Sequence, residues 1–308
     1  MKVHYDLNDL PDWKHPVLTQ GTFDGVHLGH RQLIKRINSI AKREEGESVV
    51  LTYFPHPRLV LNPQNNSLKL LNTLDEKIEL LREAGIQNLI VLEFTKELAG
   101  LRAENFIEDI LIDKIGAKSL IVGYDHRFGR NRAGSVKDLR EYEAKGYFKV
   151  IEIEAQMIQD MAISSTKIRA ALHEGIVEEA INLLGSEYSL TGIVVEGKRI
   201  GREMGYPTAN ISVEADYKLI PKDGVYYVKV LVQGKYFDGL LSIGNNPTVN
   251  GQEKSIEVHL LKFKEDIYGH NVKVVFKKWI RGTKKFVSLQ NLKNQISKDK
   301  EYVERTFL

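Results

Sequence analysis

The sequence predicts a parallel α/β domain followed by a small antiparallel β-barrel and a closing C-terminal helix. Through about residue 185, short apolar runs alternate with segments of helical periodicity, the rhythm of a parallel sheet covered by helices on both faces. After Gly185 the apolar runs become strands separated by Gly, Asn and Pro turns, at a density that suits a barrel. The 308 residues are enough for two ordinary domains, which we expect at 1–185 and 186–308.

Each element has its own signal. Val17-Leu18-Thr19-Gln20 is a short apolar strand, and Leu33, Ile34, Ile37, Ile40 and Ala41 recur behind it at helical spacing. Ser48 to Phe54 reads as the next strand. Thr73-Leu74-Asp75-Glu76 is a capping box, and the helix it opens runs toward Gly85. Asn88 to Phe94 is again strand-like. Residues 104–115 carry helical periodicity that stops at Gly116, and Leu120-Ile121-Val122-Gly123 is a buried strand. Ser135 caps a charged helix ending near Gly146, Val150 to Glu154 is a strand, and residues 177–184 form a helix before the boundary. The second half predicts strands at 190–196, 224–232, 237–243, 256–263 and 272–279, then a helix at 289–307.

Composition removes several function classes. Charged residues are 28% and apolar ones 42% of the chain, an ordinary globular balance. A formal net charge of +3 is too small for a dedicated nucleic-acid binder, so no nucleic-acid partner is expected. Cysteine is absent, which excludes disulfides, a thiol nucleophile and thiolate metal sites, and suits a cytoplasmic protein. No segment approaches the ~20 apolar residues of a membrane span, and the N-terminus lacks an apolar signal region.

Two regions carry chemistry. The first begins at Gly21-Thr22-Phe23-Asp24-Gly25-Val26-His27-Leu28-Gly29-His30, between a strand and a helix. A helix start offers free N–H groups and a positive dipole end to anions. His27 and His30 fall one turn apart, and the glycines permit close backbone approach. A partly solvated helix start is the plainer reading of two histidines, and a zinc site lacks both cysteines and the H-E-x-x-H pattern. Three further segments could complete the site. Thr52-Tyr53-Phe54-Pro55-His56-Pro57 ends a strand, with prolines that exclude continued regular structure. Gly123-Tyr124-Asp125-His126-Arg127-Phe128-Gly129-Arg130 turns abruptly polar, as a solvated basic loop also would. Ile163-Ser164-Ser165-Thr166-Lys167-Ile168-Arg169 reads as a helix start, where hydroxyls, free N–H groups and two cations suit a triphosphate.

The second region is Gly197-Lys198-Arg199-Ile200-Gly201-Arg202-Glu203-Met204-Gly205-Tyr206-Pro207-Thr208-Ala209-Asn210. Glycines interleaved with cations suggest a phosphate-cradling loop that is not a Walker A motif. In an extended strand Thr208 and Asn210 share a face, and two neutral oxygens suit Mg²⁺ shared with substrate phosphates. A plain hairpin edge would look similar.

These strings resemble known ones. G-T-F-D-G-V-H-L-G-H is similar to the H-x-G-H signature of nucleotidylyltransferases and, in full, to the FMN adenylyltransferase part of bacterial bifunctional riboflavin kinase/FAD synthetases. Gly123–Arg130 resembles that family's G-x-D/N-F-x-F-G loop, with His126 where Phe is common, and Ile163–Arg169 its I-S-S-T-x-I-R motif. Gly197–Asn210 resembles the riboflavin kinase motif G-R-x-x-G-x-P-T-A-N. Pro221–Tyr226, Ser242–Thr248 and Ile256–Leu260 follow in that family's order.

The resemblance implies a Rossmann-like nucleotidylyltransferase domain and a riboflavin kinase barrel that make FMN and then FAD from riboflavin and ATP. It implies ATP contacts from Gly21, Phe23, Asp24, His27, Gly29, His30, Ser164, Thr166 and Arg169, and FMN contacts from His56, Asp125 and Phe128. In the barrel it implies ATP at Gly197, Lys198, Gly201, Thr208 and Asn210, with Mg²⁺ on the last two. Flavin falls to Gly205, Tyr206, Pro207 and Arg281, and Glu257 is the implied base for the riboflavin 5′-hydroxyl. One departure is Thr283, which stands at the glutamate position of the family's R-x-E-x-K-F. A single-activity enzyme with one half reduced to flavin binding is a second reading. A flavin-sensing or RNA-binding regulator on an old enzyme fold is a third.

Overall fold

Six parallel strands, in the order β1-β4-β3-β2-β5-β6, make the N-terminal sheet: β1 (Lys2–His4), β2 (Pro16–Gln20), β3 (Glu47–Phe54), β4 (Asn88–Glu93), β5 (Ser119–Gly123) and β6 (Lys149–Ile153). The computed structural model describes all residues except 65–67, 125, 154, 198–200, 202–204 and 249–250, and describes 155–164, 245–248 and 251–253 by backbone alone. Its two compact units are Met1–Ser165 and Thr166–Leu308.

In the first unit, neighbouring strand residues feed opposite cores, as a pleated strand requires. Val17, Val50 and Ile121 pack with Leu33, Ile34 and Ile37 of α1 (Leu28–Arg43) and Leu81 of α3 (Leu74–Glu83). Leu18, Leu51 and Leu120 pack the other way, with Trp13, Phe106, Ile107 and Leu139. Both capping-box bonds form: the Glu76 amide donates to Thr73 Oγ1 at 3.2 Å and the Thr73 amide to Glu76 Oε2 at 3.0 Å. The helical run at 104–115 is a turn at Ala103–Asn105 that continues as the π-helical stretch Phe106–Lys114. β3 lies on one side of β2 and β5 on the other, so the chain order reverses at β2/β5. Ligands of such sheets bind beyond the carboxyl ends of the strands at that point.

Two local expectations are corrected. The prolines after β3 do not exclude regular structure, because Pro57 opens the short helix α2 (Pro57–Leu61) at a position that needs no N–H donor. Ile163–Arg169 is not a helix start. It lies inside the continuous helix α7 (Ala155–Glu174), because the preceding Ala155-Gln156-Met157-Ile158-Gln159-Asp160-Met161-Ala162 contains no breaker.

The second unit is a closed antiparallel barrel in the order β10-β11-β8-β7-β12-β9, with β7 (Ser189–Val195), β8 (Ala209–Ser212), β9 (Gly224–Val232), β10 (Lys235–Thr248), β11 (Gly251–Leu260) and β12 (Asn271–Gly282). The C-terminal helix α9 (Leu289–Phe307) buries Val303 and stacks Phe307 on Tyr227 at 4.8 Å. Residues 166–185 pack on this barrel. The Lys222 amide donates to the Leu172 carbonyl at 3.0 Å, a Cβ on Gly175 would meet the Trp279 ring at 2.6 Å, and Lys278 pairs with Glu178 of α8 (Val177–Leu184). The composition change at Gly185 and the division of the two units therefore differ by residues 166–185. Fragment 166–308 is accordingly expected to melt a few degrees above 186–308 by circular dichroism, since about 1 kcal/mol moves Tm by roughly 4 °C at this size. Equal melting temperatures would show that α8 adds nothing to the barrel.

Candidate active sites

The first site forms at the carboxyl end of β2. His27 is the N-cap of α1, and its Nδ1 accepts from the His30 amide at 3.5 Å. That leaves the proton on Nε2, 2.9 Å from Ser165 Oγ, to which it donates. The two imidazoles stack at 3.8 Å with planes 19° apart, and the Phe23 ring lies 5.0 Å from His30. Both histidines are buried. Burial, then the neighbouring His27, then Lys77 hold His30 well below the usual imidazole range. His30 is therefore neutral at pH 7, and its Nδ1 is buried without a hydrogen-bond partner among the described residues. His30 presents a neutral ring beside the first turn of α1, a chemistry that can hold phosphate by a hydrogen bond without imidazolium charge.

The loop that delivers them is strained. Phe23 (φ 49°) and Val26 (φ 40°) occupy the left-handed region, an outlier conformation for a β-branched valine and typically of order 1–3 kcal/mol each. Burial of both side chains holds it, together with the Gly21 amide donating to Leu51 O at 3.0 Å and the Leu71 amide to Asp24 Oδ1 at 2.8 Å. Gly21, Phe23 and Asp24 thus shape the loop, and Gly29 is buried in the first helical turn. At the ends of β2 and β3 and after β5, Gln20 bonds both His126 and Tyr53, a polar cluster that sequence reading missed.

His56 is buried and caps α2 by accepting from the Arg58 amide at 3.1 Å. Phe128 sits in the core, 5.6 Å from Phe106, beneath the loop and not on its surface. Thr166 is exposed and Arg169 half-buried, both in the second unit. Asp125, Lys198 and the Ser164 side chain lie outside the described residues. Ser165 and Lys77 were also missed. Ser165 lies within the Ile163–Arg169 motif, whereas a lysine on an amphipathic helix carries no signal of burial.

The second site is built on β8 and β11. Asn210 pairs with Glu257 across the ladder, and Thr208 Oγ1 donates to Glu257 Oε2 at 3.1 Å. The loop before β8 closes tightly: the Tyr206 amide donates to Gly201 O at 2.8 Å, and a Cβ on Gly201 would lie 2.4 Å from the Tyr206 carbonyl. A Cβ on Gly197 would meet the Asn210 side chain at 2.0 Å, and Gly205 takes φ 81°. His259 Nδ1 bonds the Pro207 carbonyl at 2.8 Å, and its ring meets Tyr206 edge-on at 5.4 Å. Burial lowers the His259 pKa, and Lys300 adds to this while the Pro207 bond opposes it.

Two cavities meet at Thr208. One, of about 430 Å³, is lined by Glu257, Leu240, Leu241, Phe286, Leu292 and Ile296, with Thr283 at its rim. The other, of about 320 Å³, lies against Pro207, Phe263, Lys264 and Tyr268. Arg281 also lines the larger cavity, but its guanidinium is committed to buried Asp299 of α9, Nε to Oδ2 at 2.9 Å and Nη2 to Oδ2 at 2.7 Å.

Comparison with known proteins finds one family in each half of the chain. The FAD synthetase family model matches residues 9–167 and the riboflavin kinase model residues 184–307. A bifunctional riboflavin kinase/FMN adenylyltransferase of Listeria monocytogenes is 38% identical over 92% of this chain and 90% of its own. The Escherichia coli K12 protein of that name is 37% identical over 94% and 92%. A solved structure from Streptococcus pneumoniae, described as a macrolide-efflux protein, is 32% identical with a TM-score of 0.86, covering 100% of this chain and 99% of that one. Among the described residues no helix is long and apolar enough to cross a membrane. With both family models matching in order and relatives aligned along nearly their whole length, the chain belongs to the bifunctional riboflavin kinase/FMN adenylyltransferase family.

Proposed function

We propose that the barrel phosphorylates riboflavin at Glu257 and the α/β unit adenylylates the resulting FMN at His27 and His30. The observation that carries the first step is Thr208, which lines both barrel cavities and holds Glu257. The larger cavity has the apolar walls that a flat isoalloxazine ring needs, and the smaller takes ATP. Glu257 accepts the proton of the riboflavin 5′-hydroxyl, whose oxygen bonds to the γ-phosphorus as the bond to the ADP leaving group breaks. The residues fit Mg²⁺: Thr208 and Asn210 offer a hydroxyl and an amide oxygen two positions apart, beside the Glu257 carboxylate, an all-oxygen set completed by phosphates. Bound there, Mg²⁺ would neutralise charge on the transferring phosphoryl group.

In the α/β unit a phosphate oxygen of FMN attacks the α-phosphorus of ATP, and pyrophosphate leaves. The nucleophile is already an anion, so no protein base is required. His27, His30 and the first turn of α1 hold phosphate oxygens, and Ser164, Thr166 and Arg169 serve the leaving phosphates in this reading. We assign the enzyme to the cytoplasm, where ATP is supplied, in keeping with its cysteine-free sequence. A time course with riboflavin, ATP and Mg²⁺ is expected to show FMN rising first and FAD following after a lag. FMN with no FAD would reduce the chain to a kinase, and no product at all would remove the reading.

Thr283 is exposed at the cavity rim. Thr283→Ala is expected to change riboflavin kinase kcat/KM by less than about tenfold, or ~1.4 kcal/mol. A larger loss would show that its hydroxyl contacts the flavin.

A further inference from the structure

We propose that Lys77 is a positioning residue for adenylyl transfer: its buried ammonium is the counter-charge of Asp24 and fixes the loop that presents His27 and His30 to phosphate. The inference rests on the reading of that loop as the adenylylation site. Lys77 lies on α3, outside every motif in the sequence, yet it is only 4% exposed. Lysines are almost never buried this far without a partner. Its Nζ donates to Thr52 Oγ1 at 3.5 Å, and Thr52 Oγ1 donates to the Thr22 carbonyl at 3.4 Å. The ammonium thus reaches from α3 through β3 to the loop. Asp24 attracts it from that loop, while Asp24 itself receives the Leu71 amide just before α3. The loop carries two residues in the left-handed region and needs such external ties.

Charge links Lys77 to the histidines as well. Among the described residues, the charged and titratable groups that act on it and on His30 include Asp24 from the loop and His27 at the cap of α1, with Thr52 of β3 neutral. Glu76, on the same helix, is spent on the Thr73 amide. Lys77 is one of the groups that keep His30 uncharged. Burial brings Lys77 itself down to about 8, Asp24 opposing the shift. The cation is therefore intact at pH 7 and is lost as pH rises through about 8 in the absence of phosphate.

The test is Lys77→Met, close in length and without the charge, in the full chain. Riboflavin phosphorylation in the same molecule reports folding. FMN-to-FAD kcat is expected to fall about 10- to 100-fold with riboflavin phosphorylation within twofold of wild type. The His30 imidazole pKa, followed by NMR in the ligand-free protein, is expected to rise. Lys77→Arg is expected to recover part of the FMN-to-FAD rate. FMN-to-FAD turnover within twofold of wild type, or an unmoved His30 titration, would overturn the proposal. So would equal loss of both activities with a lowered Tm, which marks a residue needed only for folding. The reading of the site falls separately, if a His27→Ala/His30→Ala variant keeps making FAD.

Discussion

Glu257→Gln is expected to depress FMN formation by roughly 10²–10⁴-fold while leaving conversion of added FMN to FAD nearly unchanged. A primary hydroxyl is a poor nucleophile, and proton removal at the moment of attack is the help it needs. Glutamine keeps the shape and an oxygen that can accept from Thr208 Oγ1, so the 3.1 Å contact and the β8/β11 pairing survive. What disappears is the basic carboxylate. The adenylyl transfer step uses a phosphate anion and has no such requirement. The measurement is initial rate with riboflavin and, separately, with FMN, alongside a thermal melt. Full kinase activity would make Glu257 merely the polar face of β11. Parallel loss of both activities would mean that the two steps are not independent.

The mirror experiment removes His27 and His30 together. The double alanine variant is expected to lose FAD formation and keep FMN formation. Hydrogen bonds to charged groups contribute about 1.5–3 kcal/mol each, so losing two costs roughly 10²–10⁴-fold. The structure refines the origin of that loss. Burial, His27 and Lys77 hold the His30 pKa well below the usual imidazole range, so at neutral pH it contributes an N–H donor and no charge. Its folded value is lowered, so protonation would begin only well below the ordinary imidazole range, and no loss of FAD synthesis near pH 6.5 is expected from His30. The Ser165 hydroxyl bonded to His27 Nε2 is the group a phosphate oxygen would replace. Near-normal FAD synthesis by the double variant would take the site away from this loop.

Much of this architecture was legible in the sequence, because local chemistry and fold agree there. Thr73 and Glu76 form the capping box that their spacing announces, Gly185 ends α8 in the left-handed conformation, and α9 spans Leu289–Phe307 as its periodicity predicts. Failures came where distant parts of the chain decide. Ser and Thr at 164–166 look like caps, but an unbroken helix-forming run upstream carries the helix through them. β8 is four residues long and follows a proline, too short to show periodicity. Phe128 reads as a loop aromatic, yet the bridge to Gly134 turns it into the core. The resemblance gives Arg281 to the flavin, while Asp299, far along the chain in α9, holds its guanidinium. Lys77 was invisible for a related reason: nothing in a helical pattern says that a lysine's head group ends under a neighbouring loop.

The closed barrel has one more consequence, for where substrate preference can change. With β10 joined to β9 through every intervening strand, the described ladder has no free edge. Along the paired stretches, strand N–H and C=O groups are already bonded to one another. A bound flavin or nucleotide must then be read by side chains that project from the strands and by backbone in rim segments such as Gly282–Phe286. The scaffold and the recognition surface are in this way chemically decoupled. A substitution such as Thr283 at the rim can alter what is accepted without touching the bonds that close the barrel. Drift in ligand choice is therefore cheap at the mouth of this fold and costly along its staves.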